Sequence, residues 1–316
     1  EVTHTPVGVY GCDKVPFAPT TEVTPETSTP DEPDGATTEV KVPQKANENE
    51  INTADIKDAH VTLPEGLTLN SAAARGLQAC SPAQIGIGTA NKVECPEASK
   101  VGTVTIEADL PKGSLTGNVY LGAPEGVPIK GPPFTIYVDA EAPNYGVSVR
   151  LKGKVEANPA TGRLEVTFLE NPQQPFSDFI MTSKSGPQAP LANPLTCETG
   201  HVDSVFTPYG GPTGPPPALT SSPFAASGCS SPVPFALTQS TQNATANAGA
   251  YTGYTFNLAR AGGQQYLSKV STVLPAGLVG VIPSVTLCGE PQAAAGTCPA
   301  ASQLGTATTT VGAGTE

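Results

Sequence analysis

Apolar and polar positions alternate with a period of two along much of the chain, the signature of strands whose side chains face opposite sides in turn. The clearest runs are Gly117-Asn-Val-Tyr-Leu121, Phe134-Thr-Ile-Tyr-Val-Asp139, Gly146-Val-Ser-Val-Arg-Leu151, Gly153-Lys-Val-Glu-Ala157 and Leu164-Glu-Val-Thr-Phe168. Asn158-Pro-Ala-Thr-Gly162 supplies a turn between the last two. Further strands are predicted at Thr37–Val42, His60–Leu63, Ala250–Leu258 and Lys269–Leu274. One stretch has helical character: Asn70 can cap a short helix over the Ala-rich segment to Cys80. The polar, acidic stretch Thr21–Gly35, with Pro25, Pro30 and Pro33, reads as a mobile loop, and the Pro-rich stretch Pro212–Pro223 as an extended link. Short strands at intervals of about ten to fifteen residues predict an all-β fold of tandem antiparallel β-sandwich (Ig-like) domains, with long Pro/Gly-rich loops and one short helix.

The pattern also repeats at long range. Leu63-Pro-Glu-Gly-Leu67 returns as Leu274-Pro-Ala-Gly-Leu278. Cys95-Pro-Glu-Ala-Ser-Lys-Val-Gly-Thr-Val-Thr-Ile106 returns as Cys298-Pro-Ala-Ala-Ser-Gln-Leu-Gly-Thr-Ala-Thr-Thr309, identical at seven positions of twelve. Gly11-Cys12 and Val15-Pro-Phe17 return as Gly228-Cys229 and Val233-Pro-Phe235, and Cys80 corresponds to Cys288. The matches keep their order at offsets of 203 to 218 residues, which sets a repeat unit of about two hundred residues. Four segments follow: 1–11 as the end of a preceding unit, 12–111 as part A, 112–228 as part B with the Pro-rich link at its end, and 229–316 as a second, shortened part A. An A–B–A order is expected of a tandem array cut at both ends, and the absence of an initial Met fits a processed or excised chain.

The register organises the seven cysteines. No C-x-x-C pair exists and the three histidines, His4, His60 and His201, are far apart, so zinc is poorly supported and disulfides in an oxidising compartment are expected. Cys80 with Cys95 and Cys288 with Cys298 each close a short loop. A loop of ~15 residues is worth roughly 3 kcal/mol in the chain-entropy model. Cys197, ending part B, is predicted to pair with Cys229, opening the next part A. Cys12 would then be left unpaired, its partner belonging to a preceding part B.

Composition narrows function. Aromatics are 5% of the residues and Trp is absent, so the core is not a rich one, while 33 Gly and 34 Pro favour turns over helices. The net charge of −12 offers no basic stripe for nucleic acid. No apolar stretch is long enough to span a membrane.

Candidate chemistry is sparse. His201 follows Cys197-Glu-Thr-Gly but no nucleophile elbow accompanies it. Asp139 and Glu141 share one face of a strand, the minimum for paired-carboxylate chemistry, with only Tyr137 and Tyr145 as sugar platforms. Asp31-Glu-Pro-Asp-Gly35 offers oxygens for calcium without the EF-hand spacing. Lys152, Lys154 and Lys269 lie on predicted strands, where an isopeptide bond to Asn would need a matching Asn and acid that the sequence does not identify.

The Cys-Pro-x-Ala-Ser-x-x-Gly-Thr block, Leu-Pro-x-Gly-Leu and the run Pro175-Phe-Ser-Asp-Phe179 to Pro190-Leu-Ala-Asn-Pro-Leu-Thr-Cys197 resemble segments of large secreted bacterial repeat proteins of unassigned function with Ig-like β-sandwich domains. The resemblance implies an extracellular, stalk-like protein, secreted or at the cell surface, and carries over no functional residue. The expected function is a non-enzymatic structural stalk or adhesive array, with a cell-wall or other extracellular polymer as the kind of partner and no cofactor. The alternative is a carbohydrate- or calcium-binding accessory module of a larger secreted enzyme.

Overall fold

The computed structural model describes residues 11–45, 47, 49–108, 113–123 and 134–310. The expected end of a preceding unit, with His4, lies almost wholly outside them. The chain divides into two compact units, the second being Tyr266–Val311.

The first unit is built on strands β1 (Thr20–Pro25), β2 (Pro33–Asp34), β3 (Ala36–Lys41), β4 (Ile56–Thr62), β5 (Thr68–Leu69), β6 (Lys100–Glu107), β7 (Leu115–Gly122) and β8 (Phe134–Ala142). It continues with β9 (Val147–Ala157), β10 (Leu164–Phe168), β11 (Asp178–Ser183), β12 (Leu191–Ala192), β13 (Gly200–Pro208) and β14 (Ala218–Phe224), and ends with the hairpin β15 (Thr238–Asn243) and β16 (Tyr254–Ala259). Eleven of these form one antiparallel sheet in the order β1-β3-β11-β6-β7-β8-β9-β10-β4-β13-β14. Its two edge strands, β1 and β14, come within 8 Å of each other at their Cα atoms. The sheet is therefore nearly closed on itself. A three-stranded sheet, β2-β12-β5, is separate.

The all-β expectation holds, but a pair of sandwiches is not what the strands build. Parts A and B share a single sheet. Strand β6 of part A lies between β7 and β11 of part B, and β4 of part A between β10 and β13 of part B. Each supplies the other's ladder partners, so neither segment satisfies its backbone groups alone.

Several local expectations change. Thr21–Gly35 contains β1 rather than a free loop, and Pro212–Pro223 contains most of β14. Both are edge strands, where Pro25 and Pro223 need not donate to a ladder. The runs 146–151 and 153–157 are one strand, β9, of eleven residues. Lys269–Leu274 is not a strand. The Asn70–Cys80 helix is a single 3-10 turn, Ser71–Ala74, capped as expected by Asn70, whose side chain accepts from Ala72 N. Gly76, at φ +71°, stops it within two residues, well short of the length a stable helix needs. Among the described residues the α-helices are two short ones inside the disulfide loops, α1 (Pro82–Ile85) and α2 (Glu290–Ala295).

Candidate functional site

The eleven-stranded sheet sorts its side chains by the period of two. Val104 and Ile106 on β6, Val138 and Ala140 on β8, and Phe206 on β13 point inward and are buried. Thr103, Thr105, Asp203 and Val205 on the alternate positions of the same strands are outward. Three apolar clusters line the inside, one around Val61, Leu63 and Val202, one around Val104, Val119 and Val138, and one around Val40, Ile56 and Phe206. They do not fill it. A cavity of about 1330 Å³ lies among them. Its wall includes Val149, Leu151 and Val155 of β9, Phe168 of β10 and Phe179 and Met181 of β11. Several of these inward apolar side chains are only half-buried, because they face open space rather than packed neighbours. Small barrels are filled by their side chains, and wider ones leave room for a ligand.

The two ends are lined differently. Strands β4 and β10 are antiparallel, so the segment following β4 and the segment following β10 lie at opposite ends. The first carries the turn Ser71–Ala74, the second Pro172, Pro175 and Phe176, and all of these line the cavity. At the first end Asn70 is 4% exposed. Its Nδ2 donates to the carbonyls of Pro187 (3.0 Å) and Ala189 (2.8 Å), which fastens the turn to residues 187–190.

The lining has a charge bias. It contains Arg75, Lys100, Arg150 and Lys184 and no Asp or Glu, although Lys100 is paired with Glu97 and Arg150 with Asp139 and Glu141, outside the lining. Between β1 and β14 the wall changes character. The hydroxyls of Thr21, Ser204, Thr220 and Ser222 are buried there without hydrogen-bond partners, and a crevice of about 280 Å³ separates Thr21 from Ser222.

The residues singled out in the sequence lie elsewhere. Cys80 is bonded to Cys95, Cys197 to Cys229 and Cys288 to Cys298, and Cys12 is a free thiol. These are the pairs the repeat register predicts. Asp139 and Glu141 face outward beneath the Cys80–Cys95 loop. Arg150 lies against both, its Nε donating to Asp139 Oδ1 (3.1 Å) and its Nη2 3.7 Å from Glu141. The same guanidinium donates to the carbonyls of Gly86 (2.9 Å), Thr89 (3.3 Å) and Asn91 (2.6 Å). Burial pushes the Asp139 carboxyl above its usual range, and Arg150 opposes the shift. The cluster ties the loop to the wall; the space between the carboxylates is taken by a cation. Tyr137 is 1% exposed under that loop with Tyr120 and Ile85, so it is no sugar platform. Tyr145 is exposed in the turn Pro143–Tyr145.

His201 lies on the exposed side of β13, beside Ser221 and Asp203. The Ser221 hydroxyl donates to Asp203 Oδ1 (2.9 Å) and lies 3.4 Å from His201 Nδ1. A catalytic serine gives its proton to the imidazole; here the carboxylate holds it. Burial raises the Asp203 carboxyl, but hydrogen bonds from Arg163 and Ser221 outweigh it and keep it below the usual range. Asp31 is buried, and its Oδ2 accepts from Gly263 N (2.7 Å), with Arg260 at 3.9 Å. Asp34 Oδ1 accepts from Thr27 N (2.8 Å). Asp31 and Asp34 are thus used within the fold, and among the described residues no group of three His, Cys, Asp or Glu could hold a metal ion. Lys154 pairs with Glu156 (2.7 Å), Lys152 is exposed, and Lys269 is exposed outside any strand.

The cavity itself was not among the expectations. The alternation that marks a sandwich face also marks a barrel wall, and only the strand order separates them. Among the described residues no helix is long and apolar enough to cross a membrane. No family model, curated protein or solved structure matches the chain.

Proposed function

We propose that this is a non-enzymatic extracellular repeat protein whose A–B barrel holds an apolar or amphiphilic molecule. The observation that carries the reading is the cavity of about 1330 Å³ and its apolar strand walls. Apolar walls that face open space forgo about 25 cal/mol for each Å² left uncovered. An apolar occupant removes that cost. Arg75 and Lys184 border the lining and no acidic side chain does, which favours a neutral or anionic molecule over a cation. Three disulfides suit an oxidising compartment and support secretion. The long repeat supports the array or stalk setting implied by the resemblance to secreted bacterial repeat proteins. The Cys197–Cys229 bond, which joins part B to the next part A, is the staple such an array would use.

The test is titration with cis-parinaric acid, a fluorescent polyene fatty acid, followed by displacement with palmitate, hexadecanol and hexadecyltrimethylammonium. The expected result is saturable binding of one molecule per chain, with the acid and the alcohol displacing it and the cation at least tenfold weaker. A Val149→Trp/Val155→Trp variant, which fills the space, is expected to weaken binding at least tenfold without lowering the melting temperature. No saturable binding would remove the reading.

A further inference from the structure

The second copy of part A repeats the first in local detail and lacks only its neighbours. Strands β15 and β16 begin 218 residues after β1 and β3, Thr20 to Thr238 and Ala36 to Tyr254. They pair in the same register, Thr20 with Lys41 in one copy and Thr238 with Ala259 in the other. In the first copy the free edge of β3 is taken by β11 of part B, with Glu39 opposite Ile180. In the second, among the described residues β16 pairs with β15 alone. The positions that correspond to the inward Ala36, Thr38 and Val40 are Tyr254, Phe256 and Leu258, so this copy carries the more apolar stripe. A two-stranded hairpin is at best marginally stable by itself, and an unpaired strand edge is a template for another strand. Residues 303–309 point the same way. They correspond to β6, which lies between two part B strands, yet they form no strand and leave Leu304 86% exposed.

We infer that the second copy of part A is a docking surface for a further part B segment, one with the sequence of residues 107–228, whose β11 strand adds to the free edge of β16 as it does to β3. The occupant is defined by the first copy: the same hairpin in the same register is seen there with that strand in place. The side chains fit the assignment, because Phe179 and Met181 of β11 would meet the stripe of Phe256 and Leu258. This inference does not depend on what the barrel holds.

The experiment is a chain in which a second copy of residues 107–228 follows Thr309, compared with the 316-residue chain by amide hydrogen exchange. Exchange at 254–259 and 303–309 is expected to slow on the order of 100-fold or more in the longer chain, toward the rates of 36–41 and 100–106. A register-specific check uses Asn257→Cys with Ile180→Cys in the added copy. Asn257 corresponds to Glu39, so the pair should oxidise to a disulfide, whereas Ser240→Cys, on β15, should not join the same partner. Unchanged exchange together with no crosslink overturns the inference. It is also overturned if the 316-residue chain protects 254–259 by itself as its concentration rises, since the occupant would then be a second copy of the whole chain.

Discussion

The two copies of part A share their punctuation and differ in their strands. Each has the Leu-Pro-x-Gly-Leu turn, with Gly66 at φ +82° and Gly277 at φ +91°. Each has a disulfide loop holding a short α-helix with Gln at its third position, Gln84 and Gln292. Each ends that loop in a 3-10 turn where a serine hydroxyl donates to a proline carbonyl at 2.6 Å, Ser99 to Pro96 and Ser302 to Pro299. These features are local, since caps, turns and short loops are set by residues a few positions apart. The strands are not. Residues 100–107 form β6 beside part B strands, while 303–309, with three identities in seven, form no strand. Leu63 is 7% exposed and its counterpart Leu274 is 47% exposed. Sequence specifies the turn; a neighbouring strand decides whether the flanking residues become sheet.

The largest test of that contrast is truncation of the paired leucines. Leu63→Ala removes a side chain packed with Val61, Val202 and Phe224 and is expected to lower unfolding free energy by about 2–5 kcal/mol. Leu274→Ala should change the same transition by less than about 0.5 kcal/mol. Urea denaturation followed by the fluorescence of buried tyrosines measures both, and equal losses would erase the distinction between the copies.

Next come the disulfides. Cys80 is fully buried beside Ile85, Tyr120 and Tyr137, and Cys288 is not buried. Replacing Cys80 and Cys95 by Ser is expected to cost about 3 kcal/mol in the main unfolding transition. Replacing Cys288 and Cys298 should leave that transition where it is. Calorimetric melting of the two double variants decides it; a common shift would mean that the second copy contributes to the barrel's stability.

The smallest expected effect is a pH dependence confined to the first copy. Asp34 is fully buried, and burial pushes its carboxyl above the ordinary range; the corresponding position in the second copy is Thr252. A carboxyl whose folded pKa is raised favours the fold most when protonated. Its relative contribution is therefore complete below the unfolded value of about 3.9 and falls as pH rises through the folded value. Relative to Asp34→Asn, the native chain should lose stability between acid and neutral pH. A stability difference that stays flat with pH would remove Asp34 from the account.

What the sequence disclosed follows the same division. The repeat register marked Cys80 with Cys95, Cys197 with Cys229, and Cys288 with Cys298, because like positions in a repeat take like partners. Alternation marked most part B strands, since Leu164–Phe168 and its neighbours carry the period within themselves. The Pro-bearing edges β1 and β14 were hidden, because proline suits an edge strand as well as a loop. The single sheet and its cavity were hidden more deeply. The insertion of β11 between β3 and β6 joins residues more than seventy positions apart, and no local pattern records it.

The most direct measurement is amide hydrogen exchange of the native chain at two matched segments, 100–106 and 303–309. If part B strands make part A into sheet, exchange at 100–106 is slower than at 303–309 by on the order of 100-fold or more. Equal protection of the two segments would contradict the account.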